Sequence, residues 1–170
     1  MVHRLAPLLI LAVVATSQAE VTQTPPNQLI DYDAFARNVA DVRTLREARR
    51  VAEDEFIRLA AEADTVVLDA RSERLFALRH VAGALNLSFP EFTEATLARI
   101  VPTHETRILI YCNNNFTGAP ESLPVKALAS ALNVSTFVSL YAYGYRNVYE
   151  LGPVVDVTQA KIAFEGSEVR

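Results

Sequence analysis

Cys112 is the only cysteine of the chain, and it closes the apolar run Arg107-Ile108-Leu109-Ile110-Tyr111 just before a polar, turn-rich stretch from Asn113 to Pro120. A thiol at the end of a buried strand, opening into a loop, stands where a nucleophile is presented. The NH groups of such a loop, with the start of a helix expected near Pro124, supply positive potential. That potential lowers a thiol's pKa and stabilises an anion bound there. The other reading of a lone cysteine is a small buried hydrophobe. The local pattern is divided evenly between them.

One thiol cannot make an intrachain disulfide, so stability must come from the core. The 170-residue chain carries a formal net charge of −4 and shows no basic stripe, which argues against nucleic acid as a partner. His80 and His104 have no Cys or His at metal-finger spacing, so no metal site is expected. Residues 1–19 read as a cleaved secretory signal: His3 and Arg4 precede an apolar stretch from Leu5 to Ala15, and Ser17-Gln18-Ala19 offers small residues before the cut. That apolar stretch falls short of the roughly 20 residues that span a bilayer. A periplasmic or secreted protein follows, with no stable membrane anchor after cleavage, and its thiol faces an oxidising compartment.

Residues 20–48 read as an exposed leader followed by a helix, in which Tyr32, Phe35, Ala36 and Val39 recur at helical spacing. The mixed charges from Asp41 to Arg50 read as a solvated face. Arg49 to Val51 suits a short edge strand, and Ala52 to Glu62 an amphipathic helix with acids in its first turn. Buried strands are expected at Thr65–Asp69, Ala84–Leu87, Ile108–Tyr111 and Thr136–Leu140. Helical patterns fall at Ser72–Arg79, Phe92–Ile100, Pro124–Leu132 and Arg146–Leu151. The alternation predicts an α/β domain with a central, mainly parallel sheet of about five strands and helices on both faces. Chemistry in such sheets gathers at the carboxyl ends of the strands, where Asp69 and Cys112 both fall.

Four segments in order resemble the rhodanese-like domain family. Val67-Leu68-Asp69-Ala70-Arg71 is similar to the family's Asp-x-Arg strand end. Arg79-His80-Val81-Ala82-Gly83-Ala84-Leu85-Asn86-Leu87 resembles its Gly-His-Ile-x-Gly-Ala-x-Asn-Ile segment, with Arg79 for the usual Gly. Ile108 to Cys112 matches the strand leading into the catalytic cysteine, and Gly144 to Val148 falls at its glycine-rich turn and short helix. The resemblance covers residues 49–153, leaving 154–170 as a tail whose Val-x-Val and Ile-x-Phe alternation suits an added strand.

The resemblance implies a sulfurtransferase in which Cys112 carries sulfane sulfur as a persulfide, with no metal or organic cofactor. Its partners would be a small sulfur-containing anion or a thiol or persulfide protein. The competing reading is a rhodanese-fold module for protein binding or redox sensing in the cell envelope. Family loops are compact and often end in Arg, whereas no residue from Asn113 to Leu123 is cationic and Glu121 is acidic. A dianion such as thiosulfate loses much without that charge. The loop also lacks the Arg a phosphatase needs. Asn113, Asn114, Asn115, Phe116, Thr117 and Gly118 are the substrate-binding candidates, with Lys126 and Arg146 as sources of positive charge. The three asparagines are expected to donate amides to the pocket or to tolerate left-handed backbone, and Gly118 to adopt a positive φ. Asp69, Arg71 and His80 are assigned structural roles. Tyr141, Tyr143, Tyr145 and Tyr149 form either an aromatic rim or packing over the sheet end.

Overall fold

A computed structural model describes residues 24–169. The signal segment and its cut after Ala19 lie outside the described residues. Residues 24–30 carry only a turn, and the folded unit runs from Asp31 onward.

Helix α1 (Tyr32–Glu47) starts where the Asp31 carboxylate accepts the Ala34 NH at 2.7 Å, a side-chain N-cap. Strand β1 (Arg50–Val51) follows, then α2 (Glu53–Ala60) with Glu53, Asp54 and Glu55 in its first turn. Next come β2 (Thr65–Asp69), α3 (Glu73–Leu78), β3 (His80–Val81) and β4 (Leu85–Asn86). Helix α4 (Glu94–Ile100), opened by a Thr93/Thr96 capping box, leads to β5 (Arg107–Tyr111). Strand β6 (Phe116–Thr117), α5 (Leu132–Ala142), β7 (Val148–Leu151), β8 (Val155–Asp156) and β9 (Phe164–Glu165) complete the chain.

Five strands form one sheet in the order β1-β7-β5-β2-β4, every pairing parallel. Strand β5 lies at its centre and is buried on both faces, with Ile108 and Ile110 on one side and Leu109 and Tyr111 on the other. The first face meets Val42, Leu97, Phe137 and Leu140 from α1, α4 and α5. The second meets Phe56 and Leu59 of α2, with Phe116 and Ile162.

Two expected elements exchange identities. Thr136–Leu140 is not a strand but part of α5, and Val148–Leu151, expected as helix, is the strand β7. Residues such as Thr136 and Val138 favour strands on propensity, but tertiary burial overrides it. Asn133, Thr136, Phe137, Val138 and Leu140 are the buried positions of α5, and Asn133, Thr136, Phe137 and Leu140 among them follow the helical spacing. The expected helix from Pro124 to Leu132 shrinks to a 3-10 turn at Leu128–Ser130. The segment after Cys112 therefore runs all the way from Asn113 to Ala131 before α5 begins.

The tail makes two short pairings rather than one strand: β8 with β6 in parallel, and β9 with β3 antiparallel. Past β9 the chain is strapped to α3, with the NH of Ser167 on Ala77 O (3.0 Å) and that of Glu168 on Leu78 O (2.9 Å). Gly166, just before them, has φ +126°, and a Cβ there would collide with the Leu78 carbonyl. Gly166→Ala is expected to destabilise the protein by about 1–3 kcal/mol, the range for a strained backbone, read as a lower urea midpoint.

Candidate active site

Cys112 follows Tyr111 directly, so it stands at the carboxyl end of the central strand. Strand alternation turns it to the same face as Ile108 and Ile110, toward α1 and α5. Its neighbours in register are the ends of β2 and β7, where Asp69 pairs with Tyr111 and Glu150 with Ile110. After it the chain turns at once into a 3-10 turn, Asn113–Asn115.

The three asparagines hold this turn with their side chains. The Asn115 Oδ1 accepts the Cys112 NH (2.8 Å) and the Asn133 Nδ2 (3.0 Å), and its Nδ2 donates to Leu151 O (2.7 Å). Asn114 makes a two-way clasp with Lys126, accepting its NH at 3.0 Å and donating to its carbonyl at 2.8 Å. Asn113 is buried beside the Arg71 guanidinium, at 3.5 Å. None of the three has a positive φ. Their side chains act as staples, because a long loop leaving a buried strand has backbone and side-chain groups to satisfy.

The sulfur meets the amino end of α5. The backbone NH groups of Asn133, Asn114 and Leu132 lie close enough to favour a negative charge on it. The Asn115 NH joins them through the turn's capping arrangement. Burial nonetheless dominates: Cys112 is 2% exposed, and desolvation lifts its pKa above that of a free thiol against the pull of those NH groups, with the Glu150 carboxylate adding to the rise. Burial therefore favours the neutral thiol, while the surrounding NH groups favour the anion.

Cys112, Asn114, Asn115, Leu128, Ala131 and Asn133 line a pocket of about 280 Å³ together with Arg46, Arg50, Glu150 and Gly152. Arg46 of α1 grips the Glu150 carboxylate with two hydrogen bonds, 2.7 and 2.6 Å, and Arg50 of β1 stands 3.6 Å from it. Glu150 is 2% exposed. Burial raises its pKa, while Arg46 opposes the rise. Arg46, Arg50, Asn133 and Glu150 escape sequence reasoning. The two arginines sit in a charge run that looks like a solvated face, and Glu150 in a segment misread as helix. An acid inside Val148-Tyr149-Glu150-Leu151 is the available signal once that segment is taken as a strand.

The remaining candidates lie elsewhere. Phe116 is fully buried in the second core, edge-on to Tyr111 and Phe164. Thr117 is exposed in β6, and Gly118, with φ +86°, abuts Asp156. The Lys126 side chain borders a separate pocket with Arg71, Ser88, Phe89 and Asn113. Arg146 is corrected outright as a cation for the thiol. It precedes the amino end of β7, at the opposite end of a parallel sheet, and lies over the Tyr141 ring at 3.6 Å. The tyrosines share that displacement or turn inward. Tyr145 is buried and stacked on His104 (4.7 Å), the Tyr143 hydroxyl bonds Phe92 O, and Tyr149 lies under Arg49. They form no rim around Cys112.

Asp69 and Arg71 form a fully buried ion pair, 2.5 Å at its shortest, and the Tyr111 hydroxyl donates to the same carboxylate at 2.5 Å. Arg71 also donates to Ser122 O (2.9 Å) and Arg79 O (2.7 Å), fixing the far part of the loop. His80 stacks on Phe76, with Nδ1 2.8 Å from Phe76 O and Nε2 3.4 Å from Glu165. Both ring nitrogens are engaged on β3's surroundings, so no dyad with Cys112 forms. Among the described residues no cluster of His, Cys, Asp or Glu is suited to a metal, and no helix is long and apolar enough to cross a membrane.

A family model, the Rhodanese-like domain, matches residues 52–151. Among solved structures the chain is similar to the BH2092 protein from Bacillus halodurans, at 18% identity over 78% of this chain and 88% of that one, with a TM-score of 0.51. It is also similar to a thiosulfate sulfurtransferase from Pseudomonas aeruginosa, at 21% identity, TM-score 0.52, over 81% of this chain and 23% of that one. At these identities the likeness is one of fold. No curated protein matches the sequence.

Two outcomes test the cradle. Iodoacetamide should reach half its maximal rate with the folded protein at a higher pH than with the same chain unfolded in urea, because burial holds the proton on Cys112. A folded midpoint below the unfolded one would contradict the balance described. Asn115→Ala leaves the Cys112 NH and the Leu151 carbonyl without partners and should cost about 1–3 kcal/mol, measured by urea unfolding.

Proposed function

We propose that this chain, which belongs to the rhodanese-like domain family, is a sulfurtransferase that carries sulfane sulfur on Cys112 as a persulfide. The observation that carries the reading is the sulfur's position at the carboxyl end of β5, under NH groups from two directions. The Asn114 NH acts on the sulfur from the turn, and those of Leu132 and Asn133 from the start of α5. Such a cradle favours a negative charge on sulfur, which both halves of the reaction require.

In the first half the Cys112 thiolate attacks the outer sulfur of a donor. The bond between that sulfur and the donor's remnant breaks, and the remnant leaves with the electron pair and takes up a proton. In the second half an acceptor thiolate attacks the outer sulfur of the Cys112 persulfide. The Cys112 sulfur is then expelled as a thiolate back into the cradle. No outside oxidant or reductant is consumed, and no metal or organic cofactor takes part. The partners are a small sulfur compound and a thiol or persulfide protein. With residues 1–19 as an export signal, the exchange takes place in the periplasm or outside the cell.

A redox-sensing or binding module of the cell envelope is the second reading. It is favoured by the 2% exposure of the thiol and its raised pKa, since a protonated, shielded thiol turns over slowly. Intact-mass measurement after incubation with inorganic polysulfide separates the two. A gain of one sulfur atom that cyanide discharges and that Cys112→Ser abolishes is the expected result. A thiol that alkylates normally yet takes no sulfur from any donor would establish the second reading.

A further inference from the structure

The charged groups around the Cys112 pocket nearly cancel. Helix α1 supplies Arg46 and Glu47, β1 supplies Arg50 and β7 supplies Glu150. The loop and α5 contribute only the neutral Asn114, Asn115, Leu128, Ala131 and Asn133. Arg46 spends its fork on Glu150, and Arg50 stands between Glu150 (3.6 Å) and Glu47 (3.4 Å). Both cations near the thiol are thus matched by carboxylates of the same chain.

A second observation comes from Asn133. Its Nδ2 is spent on Asn115, whose own orientation is fixed by the Leu151 carbonyl. The Asn133 Oδ1 is left buried with no hydrogen-bond partner among the described residues. Asn133 lines the pocket beside the sulfur. The pocket wall next to Asn133 thus offers no free donor from that side chain to an oxyanion.

We propose that Glu150 determines which sulfur donors reach Cys112: by holding Arg46 and facing Arg50 it withdraws the positive charge a dianionic donor needs, and the pocket takes sulfur from uncharged or singly charged hydropersulfides. The donor half of this statement rests on the sulfur-transfer reading; the charge half does not. The step is the one already written, with R–S–SH as donor. Cys112 takes the outer sulfur, the S–S bond breaks, and R–S⁻ leaves and is protonated.

The test compares wild type with Glu150→Gln, Arg50→Gln and the double variant Arg46→Gln/Glu150→Gln, each checked for folding by circular dichroism. The first readout is the ratio of alkylation rates by iodoacetate and by neutral iodoacetamide, which senses pocket charge without sulfur transfer. The ratio should rise about tenfold in Glu150→Gln, as one unit of charge at close range implies. It should fall in Arg50→Gln and return near wild type in the double variant. The second readout is sulfur loading from thiosulfate, a dianion, relative to the hydropersulfide of N-acetylcysteine amide, which carries at most one negative charge. That quotient should be small in wild type and rise in Glu150→Gln.

Ratios that stay the same across the variants would overturn the proposal, as would wild-type protein that loads from thiosulfate as readily as from the hydropersulfide. If Glu150→Gln fails to fold, Arg50→Gln decides, because it leaves the buried pair intact; no fall in its ratio overturns the charge role. Loading from neither donor in any variant, with the ratios behaving as described, would overturn the donor half and sulfur transfer together while supporting the charge half.

Discussion

The carboxamide of Asn115 is the point on which the site's geometry turns. Its oxygen accepts the Cys112 NH and the Asn133 side chain, and its nitrogen donates to the Leu151 carbonyl. One side chain thereby joins the end of β5, the start of α5 and the end of β7. These contacts aim the free NH groups of α5 at the sulfur and bring Glu150, on the residue before Leu151, to the same pocket. A carboxamide suits the task because it can accept and donate at once without carrying charge into a buried place. A carboxylate there would have added a second negative charge beside the thiol.

Two ion pairs, one buried and one half-buried, flank the loop and do different work. Asp69 and Arg71 are sealed from solvent, with the Tyr111 hydroxyl on the carboxylate and backbone carbonyls on the guanidinium. Every polar valence there is spent on holding the loop to the strand ends, the condition under which a buried pair is tolerated. Arg46 and Glu150 instead border open volume and a reactive group. Their charge is expressed toward whatever enters, so the same chemical pairing acts as a fastener on one side of the loop and as an electrostatic setting on the other.

Much of this was legible in the sequence. Unbroken β-branched runs such as Thr65 to Asp69, and the apolar run into Cys112, announce strands buried on both faces, and amphipathic spacing announces α2. The ordered motifs announce the family. What failed was local in origin. Thr136, Phe137 and Val138 carry strand propensity, and only their contact with α1 and the sheet makes them helical. Misplacing α5 and β7 moved the end of the loop, and with it Arg146 and the tyrosines, to the wrong end of the sheet. Arg46 could not be found from local pattern, since its partner lies far along the chain at Glu150. Long-range pairing of this kind leaves no periodic trace.

Helix α1 and the first strand give that pairing a bearing on what counts as the unit of function. The family match begins at residue 52, whereas Arg46 and Arg50 both precede it. The matched span therefore encloses a carboxylate, Glu150, whose counter-ions come from outside its boundary. A catalytic module defined by family boundaries would inherit the thiol and the cradle but not the neutrality of the pocket, and Glu150 would stand desolvated and alone. The N-terminal helix is in this sense an annex that the core cannot do without. The charge of the pocket is thereby open to adjustment from that helix, by substitutions that leave Cys112 and the turn after it untouched.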